Sequence, residues 1–182
     1  MRREIRIAGF GGQGVISIGI LLAKGAGCFA GLHVAQTQSY GPESRGGACK
    51  TDVVLSDECI DYIKPLNPDT LLVMSQPALN RYERDLEDTG LLLVDTAMVR
   101  HIPERFTTVW SLPAVKLAEN AVGLRIAANS VMFGALARAT GLLSAEICKK
   151  ILADTFTASM LCKNLEAFSI GFDQVRAERG TV

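Results

Sequence analysis

Hydrophobic positions along this chain alternate between two rhythms, and the changes of rhythm mark out the elements. Residues 4 to 10 form an apolar run, interrupted by Arg6, that enters the glycine cluster Gly9-Phe10-Gly11-Gly12-Gln13-Gly14. Behind it Val15, Ile18, Leu21, Leu22 and Gly25 recur at helical spacing, which predicts a helix packed on a sheet. Gly31 ends that helix, and Leu32 to Gln38 reads as a second strand, so the opening predicts a right-handed βαβ unit with parallel strands. Residues 39 to 47 are a loop by their Gly-Pro and Gly-Gly punctuation. Ala48 to Ser56 follows as a strand with no room before it for a crossover helix, which predicts an antiparallel or edge insertion.

Further along, a turn over residues 57 to 62 is closed by Pro65 and Pro68. Buried strands are expected at 70–75 and 91–95, with a polar helix over 77–87 between them and a short strand at 107–111 carrying Trp110. From Pro113 the rhythm is helical: 114–122, 126–140, 144–153 and 159–178, with Ser144 suited to start the third of these. The sum is an α/β, Rossmann-like, three-layer fold with a mostly parallel sheet of about six strands and a helical C-terminal third. At 182 residues the chain suits a single domain over 1–182.

Composition narrows the function classes. Lys plus Arg and Asp plus Glu number 19 each, so no overall field attracts nucleic acid or an acidic membrane surface. The apolar stretch 14–23 is short and ends at Lys24, and Glu4 and Arg6 break up the start, so neither a membrane span nor a signal peptide is expected. Cys28, Cys49, Cys59, Cys148 and Cys162 are scattered, without C-x-x-C spacing. They read as reduced, mostly buried thiols of a cytoplasmic protein, and too dispersed to hold an iron–sulfur cluster in this chain alone. His33 and His101 are isolated, Asp52, Asp57, Glu58 and Asp61 read as a solvated acidic face, and Phe156, Phe168 and Phe172 as core or interface. No nucleophile–base constellation stands out, which points to a ligand-handling module without catalytic machinery of its own.

Two stretches carry chemistry. Gly9, Gly11 and Gly14 fit G-x-G-x-x-G between a strand and a helix, where backbone N–H groups at a helix start can meet an anion. The dinucleotide version of that motif needs an acidic residue at the end of the second strand, and Gln36-Thr37-Gln38-Ser39 supplies none. The second stretch, Tyr40-Gly41-Pro42-Glu43-Ser44-Arg45-Gly46-Gly47, emerges at the ligand-binding edge of the sheet and offers a guanidinium fork beside bare backbone. A stand-alone nucleotide-binding or regulatory module of Rossmann type is one reading of the pair.

The two motifs together, with Ser56-Asp57-Glu58, Pro113-Ala114 and the helix from Asn129 to Gly134, resemble the gamma subunit of 2-oxoacid:ferredoxin oxidoreductases. The Thr-Gln-Ser-Tyr-Gly-Pro-Glu form is most similar to the 2-oxoglutarate type, with pyruvate, branched-chain and indolepyruvate relatives close enough to leave the substrate open. The resemblance implies an enzyme that decarboxylates a 2-oxoacid, transfers the acyl group to coenzyme A and reduces ferredoxin. It also implies that thiamine diphosphate, magnesium and iron–sulfur clusters sit on alpha, beta and delta-type partner subunits. Carried over residue by residue, Gly9, Gly11, Gly12, Gln13 and Gly14 form the first cofactor-contacting loop, and Tyr40, Gly41, Pro42, Arg45, Gly46 and Gly47 the second. Contact with coenzyme A itself, or only with protein around thiamine diphosphate, stays open on the sequence.

Overall fold

The computed structural model describes residues 1–39 and 48–180. Among these described residues seven strands form one sheet in the order β2-β3-β1-β4-β5-β6-β7. In chain order they are β1 (Arg2–Phe10), β2 (His33–Ser39), β3 (Ala48–Ser56), β4 (Thr70–Val73), β5 (Leu91–Asp95), β6 (Thr108–Leu112) and β7 (Arg176–Arg179). The helices are α1 (Val15–Lys24), α2 (Gln76–Tyr82), α3 (Ala114–Leu117), α4 (Ala128–Thr140), α5 (Ala145–Thr155) and α6 (Ala158–Gln174). Among the described residues no helix is long and apolar enough to cross a membrane.

β1, β4, β5 and β6 are parallel neighbours, and β4 and β5 are buried along their whole length, as strands covered on both faces must be. The alternation of side chains then sorts two cores. Ile5, Ile7, Leu72, Met74 and Leu93 point toward α1, α3, α4, α5 and α6, whereas Ala8, Leu71, Val73, Leu92 and Val94 meet Leu79 and Tyr82 of α2 with Val99 and Phe106. The first core is much the larger. Its helices include α4 and α6, whose backbones touch: a Cβ on Gly171 would lie 2.7 Å from the Val131 carbonyl carbon. Phe133 and Phe168 fill the space beside that crossing, with ring centroids 5.8 Å apart.

Four expectations change. β2 does run parallel to β1, since each is antiparallel to β3, but β3 lies between them. β3 is therefore antiparallel, as the lack of a crossover requires, yet interior rather than an edge; β2 is the edge. The helix expected over 77–87 is shorter, spanning Gln76–Tyr82, with Pro77 in its first turn and Ser75 Oγ accepting from Ala78 N–H at 3.4 Å. The last helix stops at Gln174, and Arg176–Arg179 pairs antiparallel with β6, giving a seventh strand. Val175 ends the helical stripe, and the alternation that follows is only four residues long, too short to announce itself.

Buried charge is the other correction. Asp52 is 4 % exposed and belongs to no solvated face. It accepts from Arg6 Nε at 2.7 Å and from Lys50 Nζ at 2.7 Å, and Arg6 also pairs with Asp85 and lies over the Tyr82 ring at 5.5 Å. β-register explains it: Arg6 sits opposite Asp52, so strand pairing brings the two charges together on one face. Of the five cysteines, only Cys49 and Cys148 are buried; Cys28, Cys59 and Cys162 are exposed, and all five are free thiols.

Candidate functional site

The sheet gathers its chemistry at the C-terminal end of β1, where the chain turns into α1. Gly12 and Gly14 adopt left-handed backbone, at φ +89° and +76°. Gly9 serves differently: a Cβ there would lie 2.6 Å from Gln13 Oε1 and 2.9 Å from Val15 Cγ2. So the fingerprint glycines divide the work between conformation and close packing.

Gln13 is spent on the loop itself. Its Oε1 accepts from Phe10 N–H at 2.6 Å and its Nε2 donates to the Met74 carbonyl at 2.8 Å, bridging the loop to the end of β4. The first intrahelical bond of α1 runs from Ile18 N–H to Gly14 O at 3.1 Å, and no side chain caps the helix. The N–H groups of Val15, Ile16 and Ser17 precede that bond, and the first turn holds no acidic residue. The helix start is thus a positive end left free for an acceptor.

Two cavities flank the loop and share Phe10, Gly12 and Ile126. One, about 600 Å³, is lined by Gly11, Gly14, Val15, Ile16, Ser17, Cys49, Asn129, Phe156, Met160 and Asn164 as well. The other, about 350 Å³, reaches Gln13, Met74, Met98, Val115, Arg125 and Ala128. Both are mainly apolar. In the larger one Asn129, 8 % exposed, supplies a donor. Its Oδ1 accepts from Ser130 N–H at 2.7 Å, which fixes the carboxamide and turns Nδ2 toward Gly14, where Nδ2 has no acceptor among the described residues. Ser130 Oγ in turn donates to Asn164 Oδ1 at 2.6 Å, and Asn164 Nδ2 to the Met160 carbonyl at 2.9 Å.

Inserting β3 also alters what stands beside the glycine loop. In a dinucleotide fold that neighbour is the end of the second parallel strand. Here β2 is two strand spacings from β1, roughly 10 Å, and the neighbour is the start of β3, with Cys49 opposite Gly9 and Ala48 opposite Phe10. Burial pushes the Cys49 thiol above its ordinary pKa, so it stays protonated and apolar at neutral pH. Tyr40, Gly41, Pro42, Arg45, Gly46 and Gly47 lie outside the described residues. Their anchors do not: β2 ends at Ser39 and β3 begins at Ala48, on the strand that pairs with Phe10.

Asp95, fully buried at the end of β5, is a residue that sequence reasoning passed over. Its Oδ1 accepts from Ala97 N–H at 2.9 Å and its Oδ2 from Val115 N–H at 3.2 Å, anchoring the start of α3. Burial outweighs these bonds and raises its pKa. The signal was faint, an acid closing the apolar run Leu91-Leu92-Leu93-Val94. Asn129, Phe156 and Met160 were equally hidden, because helical spacing alone does not say which helix end faces a loop far away in sequence. Among the described residues no three His, Cys, Asp or Glu side chains gather as metal ligands. The cysteines described therefore do not fit an iron–sulfur cluster, which needs several converging thiolates.

Residues 4–174 match the profile of the pyruvate ferredoxin/flavodoxin oxidoreductase family. The 2-oxoglutarate synthase subunit KorC of Methanothermobacter marburgensis is 48 % identical over 177 residues, covering 94 % of this chain and 95 % of that one. A crystal structure of the keto/oxoacid ferredoxin oxidoreductase gamma subunit of Geobacter sulfurreducens is 37 % identical, with a TM-score of 0.88 over 96 % of both chains. Pyruvate oxidoreductase subunit PORC of Thermotoga maritima is 27 % identical, with a TM-score of 0.83 over 98 % of this chain and 99 % of that one.

Proposed function

We propose that this chain, which belongs to the pyruvate ferredoxin/flavodoxin oxidoreductase family, works as the gamma subunit of a 2-oxoglutarate:ferredoxin oxidoreductase. The observation that carries the reading is likeness along nearly the whole chain to a 2-oxoglutarate synthase subunit. That enzyme oxidatively decarboxylates the 2-oxoacid, passes the acyl group to coenzyme A and delivers electrons to ferredoxin. Thiamine diphosphate, magnesium and the iron–sulfur clusters are carried by alpha, beta and delta-type subunits in this reading.

The chain's own part is to bind and orient. The α1 start and the Asn129 amide present donors over an apolar cavity of about 600 Å³, suited to an acceptor-bearing group on an aliphatic body. Gln13 holds the loop in shape rather than meeting the ligand. Arg45, which lies outside the described residues, is the residue this reading assigns to supply the charge that the described lining of the larger cavity lacks. Coenzyme A is the co-substrate assigned to this cavity.

The test is reconstitution. Purified with its partner subunits, the chain supports coenzyme A-dependent reduction of a redox dye, fastest with 2-oxoglutarate among 2-oxoglutarate, pyruvate and a branched-chain 2-oxoacid. Loss of that preference refutes the substrate assignment, and no coenzyme A-dependent reduction with any of the three refutes the whole reading.

A further inference from the structure

Among the described residues, the indole Nε1 of Trp110 is the single side-chain nitrogen or oxygen that is sealed from solvent without a hydrogen bond. An orphan donor of this kind costs about 1–3 kcal/mol, and native structures keep few of them. Trp110 is also the chain's one tryptophan. It stands on β6, three strand spacings from β1 and so roughly 14 Å from the strand that carries the glycine loop. The pairing of β6 with β7 is irregular just there. Val109 faces Arg179 and Trp110 faces Ala177, which leaves Glu178 as an extra residue, its carboxylate taken by Ser111 Oγ.

A cavity of about 390 Å³ opens beside it, lined by Trp110, Phe172, Val175, Arg138, Asp173 and Arg176. Arg138 pairs with no carboxylate among the described residues; its guanidinium lies over the Phe172 ring at 5.5 Å. Asp173, also without a cationic partner among them, sits in the last turn of α6, where the helix carbonyls add negative potential. Arg176 is spent on that helix end, its Nη1 donating to the Asp173 and Val175 carbonyls at 2.6 and 2.9 Å. Arg138 and Asp173 therefore line one cavity, opposite in charge and not paired with each other. Asp173 repels a plain anion there and Arg138 a plain cation, whereas a zwitterion meets both.

We propose that this cavity binds an α-amino acid with an apolar side chain. The carboxylate accepts from Arg138 and from Trp110 Nε1, the ammonium pairs with Asp173, and the side chain packs on the rings of Trp110 and Phe172. Because Nε1 is sealed, the carboxylate reaches it as a covering side chain shifts. Arg138, exposed and held through a ring contact rather than an ion pair, supplies that movement. Binding then gives the orphan donor its acceptor.

Tryptophan fluorescence of the full-length chain reads the site directly, since its one tryptophan is a wall of the cavity. L-phenylalanine gives a saturable change in the millimolar range or below. 3-Phenylpropanoate, which lacks the ammonium, and phenethylamine, which lacks the carboxylate, each bind roughly tenfold more weakly. Arg138→Gln weakens L-phenylalanine by roughly tenfold. Asp173→Asn does the same while tightening 3-phenylpropanoate, an inversion that a damaged fold does not give. The absence of a saturable change with L-phenylalanine and L-leucine overturns the inference. So does 3-phenylpropanoate binding the wild type as tightly as L-phenylalanine, the mark of a simple anion site, or an L-phenylalanine affinity indifferent to either substitution.

Discussion

Replacing Gly14 by alanine imposes two separable costs, and Gly12 provides the control. Both residues are left-handed, at φ +89° for Gly12 and +76° for Gly14. Either alanine therefore pays a backbone penalty of about 1–2 kcal/mol. Around Gly12 the added methyl meets nothing within 4 Å, so Gly12→Ala stops there. At Gly14 it meets Asn129, whose Cβ and Cγ would each lie 2.9 Å away and whose Nδ2 would be closer still. Asn129 must shift, at an overpacking cost of about 1–3 kcal/mol. It also strains or loses the bond from Ser130 N–H, worth about 1 kcal/mol. Gly14→Ala is thus expected to destabilise by about 3–6 kcal/mol, some 2–4 more than Gly12→Ala. Urea denaturation with a common m-value measures both. Asn129→Ala in the Gly14→Ala background relieves the Nδ2 and Cγ overlap but not that with Cβ, and should give a coupling of about 1–2 kcal/mol. Equal losses for the two glycine variants, or an additive double mutant, refute the account of the loop as wedged against Asn129.

Two further outcomes follow from the buried charges. Asp52→Ala leaves Arg6 with Asp85 as its one carboxylate partner, beside the Pro65 carbonyl, and Lys50 without its carboxylate, and is expected to cost about 3–5 kcal/mol by urea denaturation. Arg6→Met, which leaves Asp52 its contact with Lys50, should cost less; the reverse order contradicts the network. At Asp95 burial raises the carboxyl pKa, so the native state holds the proton more tightly than the unfolded chain. Its contribution to stability is full below the unfolded carboxylate value and is lost as pH rises through the raised native one. Asp95→Asn removes that dependence, so its stability relative to wild type should climb with pH over the acid limb. A flat or falling difference in urea titrations at successive pH values speaks against it.

Much of this was legible in the chain, and the parts that were not share a cause. Strands buried on both faces, such as Leu91–Asp95, announce themselves because every position is apolar. The start of α5 at Ser144 is legible because a hydroxyl caps the N–H three residues on, and that of α2 because Pro77 suits a first turn, local chemistry in a local window; the Ser75 cap emerges only in the structure. The glycine loop was found for the same reason, and its position after a strand and before a helix matched. Strand order was not legible. Whether β3 lies outside β2 or between β2 and β1 depends on pairings between segments dozens of residues apart, and Arg6 opposite Asp52 is visible only once that register exists. The floor of the site escaped likewise, since Asn129 and Asn164 sit on helices whose apolar stripe is the same whichever end meets the loop. Gln13 was identified as part of the site on sequence, and the structure shows its amide occupied by Phe10 and Met74.

That brace has a thermodynamic consequence. A glycine-rich turn with free φ and ψ at several positions ordinarily surrenders conformational entropy when it meets a ligand, and that loss is subtracted from affinity. Here the surrender has occurred during folding: one carboxamide ties Phe10 N–H to the Met74 carbonyl, and Gly9 and Gly14 are packed against Gln13 and Asn129. Whatever settles on the α1 start meets a surface already in its final shape, and the strength of its binding reflects fit and desolvation rather than the ordering of a loop.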